Sequence, residues 1–187
     1  MLAVLAGCAS TPPASRSAAD QRGIRLTAEV IAPEALAELL GGDQGPEGII
    51  ALQLALHNGG TDALAVVPAR AALVGPRNQR IRPVEPSALF AYVRRRPRLD
   101  GISTPPYAGL PPASDREIAT VWGEKALPPR TLAPGDALQG WLYFPMSGRR
   151  AAEEVSARWQ LAVVLQGQDQ RLQEHIVRVD PPEGGPA

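Results

Sequence analysis

The chain has 187 residues, with 19 Lys+Arg against 19 Asp+Glu, and 44% of its residues are hydrophobic. The charge balance excludes a net field that would gather the protein onto nucleic acid or an anionic membrane, and no apolar run approaches the ~18 residues of a membrane-spanning helix. Twenty prolines and 18 glycines disfavour long helices and favour short strands joined by irregular connections. The length suits one domain, because domains commonly run to about 100–200 residues. A single cysteine, Cys8, excludes an intramolecular disulfide and a cysteine-based metal cluster.

The chain opens with Met1-Leu2-Ala3-Val4 and then Leu5-Ala6-Gly7-Cys8, an aliphatic residue, two small ones and a cysteine. This resembles the lipobox of bacterial lipoproteins, whose small residues surround the peptidase cut after an apolar stretch. The resemblance implies that Cys8 is lipidated, becomes the new N-terminus and anchors the protein to a membrane. Residues 1–8 read as a truncated signal, since a complete one carries a charged region and ~7–15 apolar residues. The competing reading is a short apolar start with a chance cysteine. Residues 9–21 (ASTPPASRSAADQ) are Ser/Ala/Pro-rich and lack large apolar side chains, as a disordered tether would. Ala9 after the cysteine implies, by the same resemblance, the periplasmic face of the outer membrane.

Ile24–Val30 alternates apolar and polar residues and predicts a first strand. Pro33–Leu40, with Pro at its start and Gly41-Gly42 as a stop, predicts a two-turn helix. In Ile50–Leu56 every second residue is a large aliphatic, the period of a strand with one buried face. Asn58-Gly59-Gly60 then reads as a hairpin turn supplying positive φ, with Leu64–Val67 as the returning strand. Further strands are expected at Ala72–Val74, near Ile81–Pro83, along Leu138–Phe144 after a Pro134-Gly135 turn, along Trp159–Leu165, and along Leu172–Val179 after a Gly167–Gln170 turn. Ser87–Arg96 reads as a helix capped by Ser87, and Ile118, Val121 and Trp122 as another short element. Residues 182–187 read as a loose tail.

About seven strands without βαβ alternation define an all-β fold, an Ig-like antiparallel β-sandwich over residues 22–181, with one or two short helices and an insertion at 87–124. Leu54–Gly60, Ile81–Pro83 and Leu132–Pro145 together resemble the Ig-like domains of bacterial envelope lipoproteins of an uncharacterised family. That resemblance implies a cell-envelope location.

Signals for chemistry are sparse. His57 and His175 offer two imidazoles where a zinc site needs three or four ligands at recognisable spacing, so no metal site and no cofactor is expected. The serines stand in no nucleophile elbow or Ser-x-x-Lys pair, and no glycine pair precedes a Gly-Lys-Ser/Thr phosphate loop, so no catalytic residue is assigned. One cluster stands out: Arg94, Arg95, Arg96 and Arg98 close the expected insertion helix, with Tyr92 on it and Tyr107 and Trp122 beyond. Guanidinium forks suit phosphate or carboxylate, and aromatic rings suit sugar faces. The plainer reading is a solvated helix end that complements the helix dipole. Of the aromatic residues, Trp159 reads as a core position and Trp141 as a core or edge position.

The expected function is therefore a non-enzymatic, lipid-anchored binding or scaffolding module of the periplasm. Its partner is an envelope protein, it touches the membrane through Cys8, and it binds no nucleic acid. Sheet edges and end loops are the candidate partner surfaces, with strand addition as one mode. The alternative is direct binding of an anionic envelope glycolipid or glycan by Arg94–Arg98, with Tyr92 stacking on it.

Overall fold

The computed structural model of the chain describes residues 18–21, 23–39, 48–89, 115–146 and 158–180. Ten strands form one mixed sheet: β1 (Ala18–Gln21), β2 (Ile24–Val30), β3 (Ile49–Asn58), β4 (Leu64–Val66), β5 (Ala72–Val74), β6 (Arg80–Ile81), β7 (Arg130–Leu132), β8 (Ala137–Pro145), β9 (Gln160–Gly167) and β10 (Leu172–Asp180). Among the described residues there are also two short helices, α1 (Pro33–Leu39) and α2 (Asp115–Lys125), and 3-10 turns at Pro68–Arg70 and Pro86–Ala88.

The main path runs β6-β5-β9-β10-β2-β3-β8. β10 pairs with β9 in antiparallel register along Leu172–Arg178, then joins β2 in parallel only at Val179↔Ala28 and Asp180↔Glu29. Over this narrow seam the sheet curls, so that the alternate residues of both halves converge. Leu26, Leu54 and Phe144 from one half and Leu73, Leu161 and Val177 from the other belong to one buried cluster. β1 lies beside the start of β2, through Ala18↔Thr27 to Gln21↔Ile24.

The expected all-β architecture is present, and the observed geometry corrects several details. The sheet is mixed rather than antiparallel, because β10 meets β2 in parallel. Asn58-Gly59-Gly60 is not a hairpin: β3 pairs with β2 and β8, whereas β4 pairs with β7 and β9, so these residues carry the chain from one half of the sheet to the other. Neither glycine has positive φ. Gly59 is required for a different reason: a Cβ there would lie 2.8 Å from the Gly23 carbonyl oxygen, too close for any side chain. Residues 18–21, expected as the end of the tether, form β1. Ser87 sits within a 3-10 turn rather than capping a helix at its own position, and 90–96 lie outside the described residues.

Among the described residues, the opposite face of β3 and β8 is covered at one end. Ile49, Ala51 and Tyr143 on that face bury Leu36 of α1, Leu89 after the second 3-10 turn and Trp122 of α2. Residues of the expected insertion thus supply a second small core. Gly140 admits the chain beside α2: a Cβ there would lie 2.5 Å from the Leu127 Cα. Val84 and Leu127 donate to the Tyr143 and Trp141 carbonyls (2.8 and 2.9 Å), which occupies part of the free edge of β8.

Candidate functional site, an end cleft

Among the described residues, buried polar side-chain bonding is concentrated where β3 ends. Asn58 is fully buried, a position that a carboxamide occupies only when its polar atoms are matched. Its Nδ2 donates to the carbonyls of Asp62 (2.8 Å) and Leu132 (3.2 Å), and its Oδ1 accepts from the Gly60 N–H (3.1 Å). Its own N–H donates to the Asp136 carbonyl (2.9 Å), and its carbonyl accepts from the Gly135 N–H (2.6 Å). Gly59 donates to the Gly23 carbonyl at 2.7 Å. One residue therefore ties together three segments: its side chain holds the crossing 59–63 and the end of β7, and its backbone holds the turn that opens β8. In that turn Asp136 donates to the Ala133 carbonyl (3.0 Å), and its Oδ2 accepts the Ala133 N–H (3.0 Å).

The β9–β10 turn faces this assembly. Gly167 donates to the Arg171 carbonyl and Gln170 to the Gly167 carbonyl, both at 3.0 Å, with Gln170 at φ 62. Asp169 Oδ1 accepts the Arg171 N–H at 3.1 Å, and its Oδ2 lies 3.3 Å from the Arg171 guanidinium. Leu64 pairs with Gly167, which sets the two loops side by side.

Between them lies a cleft of about 430 Å³. Gly60, Thr61 and Asp62 form one wall, Gly167, Gln168 and Asp169 the other. Ile24, Asn58 and Leu64, all buried, lie behind these walls, and Gln173 completes the lining. Its charged side chains among the described residues are two carboxylates, one on each wall.

The residues singled out in the sequence are distributed differently. Cys8, Tyr92, Arg94, Arg95, Arg96, Arg98 and Tyr107 lie outside the described residues. Trp122 is buried, its ring stacked on Tyr143 (centroids 5.3 Å apart, planes at 15°), so it is core and offers no face to a sugar. The Tyr143 hydroxyl donates to the Trp122 carbonyl at 2.9 Å, and burial raises its pKa well above the ordinary phenol value. Trp159 is in the main core, and Trp141 packs partly buried against the second one. His57 is exposed on β3 while His175 is buried on β10. Among the described residues no three His, Cys, Asp or Glu side chains gather as metal ligands.

Sequence reasoning missed the cleft because Asn58, Asp62 and Asp169 sit in segments that read as turns, where such residues are common for backbone reasons. The signal that was available is an Asn placed directly on the buried-face register of Ile50–Leu56.

No protein-family profile and no curated protein matches the chain. Solved structures that align with the chain include ycdA, a candidate lipoprotein of Bacillus subtilis (9% identity, TM-score 0.45, covering 88% of this chain and 39% of that one). They also include the yjhA protein of Bacillus subtilis (12%, 0.47, 87% and 96%) and a functionally unknown protein of Listeria monocytogenes (14%, 0.39, 88% and 84%). The chain thus spans about two fifths of the length of ycdA. Among the described residues no helix is long and apolar enough to cross a membrane.

Proposed function

We propose that this chain is a non-enzymatic binding module of the bacterial cell envelope, an Ig-like domain anchored through Cys8 at the periplasmic face of the outer membrane, and that it recognises a protein partner at the end cleft. The Leu5–Cys8 motif and the Ser/Ala/Pro-rich stretch after it support the anchor.

The observation that carries the recognition site is the buried Asn58 clamp. Its hydrogen bonds fix the loop that forms one wall before any ligand arrives, and a preorganised surface spends little ordering entropy on binding. Strand addition is the weaker mode here. The outer strands β6 and β7 have only two and three residues, and part of β8's free edge is already engaged by Val84 and Leu127.

Photo-crosslinking in cells tests this, with probes at Thr61 and Gln168 on the cleft and at Gln53 and Gln160 on the sheet. A discrete protein adduct from the cleft probes alone is the expected result. Adducts from the sheet probes alone would move the site elsewhere.

A further inference from the structure

We propose that the outward face of β10 rests on the lipid surface, so that the domain lies against the bilayer along this strand. This depends on the anchor proposed at Cys8, and it names the side of the domain which that anchor brings to the headgroups.

Alternation along β10 puts His175, Val177 and Val179 inward and Leu172, Glu174, Ile176 and Arg178 outward. Among the described residues, Leu172 and Ile176 are the two large hydrophobic side chains left exposed, at 56% and 41%, and one strand face carries both. Ile176 stands level with Ala162 of β9 and through it with Ala72 of β5, while Val164 stands level with Glu174. Small and aliphatic side chains thus continue the surface across the sheet. Its charges suit a headgroup layer. Glu174, which would oppose one, is neutralised by Arg80, whose side chain reaches from β6 past β5 and β9. Arg178 is exposed and has no ion pair among the described residues. Two guanidiniums against one carboxylate, set around exposed aliphatics, match an interface in which apolar side chains enter the acyl boundary and arginines reach phosphates. The position of the anchor selects lipid over a soluble apolar partner. β1 begins at Ala18, opposite Thr27 and one pair from the β2–β10 seam at Ala28↔Val179, and it packs beside β10. Nine residues separate Ala18 from Cys8, and in any conformation they span at most about 35 Å. A lipid on Cys8 holds the bilayer within that reach of β10, at a local concentration that makes two weak aliphatic contacts count.

The test couples the full nitrogen-labelled chain through Cys8 to a maleimide lipid in nanodiscs of about three parts phosphatidylethanolamine to one of phosphatidylglycerol, doped with a nitroxide lipid. Paramagnetic broadening of each amide, measured against the reduced nitroxide, reports which side meets the lipid. Residues 172–178 are expected to broaden about threefold more than 137–145 of β8 and 115–125 of α2, which lie on the far side of the sheet. Leu172→Thr/Ile176→Thr is expected to level that difference. Threonine suits an exposed strand position, and unchanged β3 amides before coupling report an intact fold. Even broadening, strongest broadening on β8 or α2, or a gradient that survives the double variant overturns the assignment. The same gradient produced by a water-soluble nitroxide without discs also overturns it, since exposure alone would then account for the effect. Recovery of the wild-type chain in the soluble periplasmic fraction of cells overturns the anchor and this face together. A chain held at the membrane in cells, yet broadened evenly in the discs, sinks the face alone.

Discussion

Among the described residues, two hydrophobic cores lie on opposite faces of the same strands, and they are built differently. The larger is almost wholly aliphatic, assembled from alternate residues of eight strands with Phe144 and Trp159 among them, and it joins the two halves of the curled sheet. The smaller is a patch at one end of β3 and β8, where Leu36, Leu89 and Trp122 from the helices and the end of a 3-10 turn pack on Tyr143 of β8. The larger core defines the fold. The smaller one attaches a cover to a sheet that is already formed, and it uses stacked rings and a tyrosine hydrogen bond where the first uses interdigitated aliphatics. One strand face can thus carry the fold while the other carries an accessory.

Substitutions can separate the two. Phe144→Ala in the larger core is expected to cost about 3–5 kcal/mol of global stability, read as a lowered urea midpoint with an unchanged slope. Trp122→Ala removes a larger side chain, yet the expected loss is local. Hydrogen-exchange protection falls in α1 and α2 while β2 and β10 keep theirs. Protection lost in step across sheet and helices would make the two cores one cooperative unit. Asn58→Ala is expected to cost about 2–3 kcal/mol, because two carbonyls and one N–H lose their buried partner. A differential melting curve checks it, and a loss no larger than a surface substitution causes would refute the clamp.

Tyr143→Phe is the mildest, at about 1 kcal/mol. Its sharper signature is in pH. The folded phenol has its pKa raised above the unfolded value of 10.0, so the stabilisation is fully present below that pH and declines as pH rises beyond it, where the unfolded chain ionises first. Denaturation midpoints of the native chain should fall in that alkaline range more steeply than those of Tyr143→Phe. Parallel slopes would mean that the buried hydroxyl contributes nothing to the alkaline transition.

The larger core was readable because its strands repeat with period two: Ile50, Leu52, Leu54 and Leu56 are spaced as the buried face demands, and Leu138, Gly140, Leu142 and Phe144 share one face as expected. The smaller core was not. Leu36, Leu89 and Trp122 are far apart in the chain and share no period, so only tertiary structure brings them to Tyr143. The connectivity at Asn58-Gly59-Gly60 was misread because glycine serves a tight reversal and a close backbone approach equally well, and local sequence does not distinguish them. The parallel seam between β10 and β2 likewise follows from where distant strands meet, which no local pattern encodes. The cleft combines both difficulties. Its walls are turn residues from segments about 100 positions apart, and their juxtaposition depends on the Leu64↔Gly167 register.

The Asn58-Gly59 pair also bears on how this protein ages. An asparagine followed by glycine is chemically fragile in a free chain, because the glycine nitrogen can attack the side-chain amide and turn it into an acid. In the folded protein that nitrogen is committed to the Gly23 carbonyl, and the amide group is held by three hydrogen bonds. The fold thereby shields a fragile point of its own chain. A molecule that opens long enough to deamidate gains a carboxylate at 58, which cannot donate to the Asp62 and Leu132 carbonyls, so the damage opposes refolding. Unfolding and chemical decay should then advance together, and the acid form at residue 58 should accumulate in the denatured fraction of an aged sample rather than in the native one.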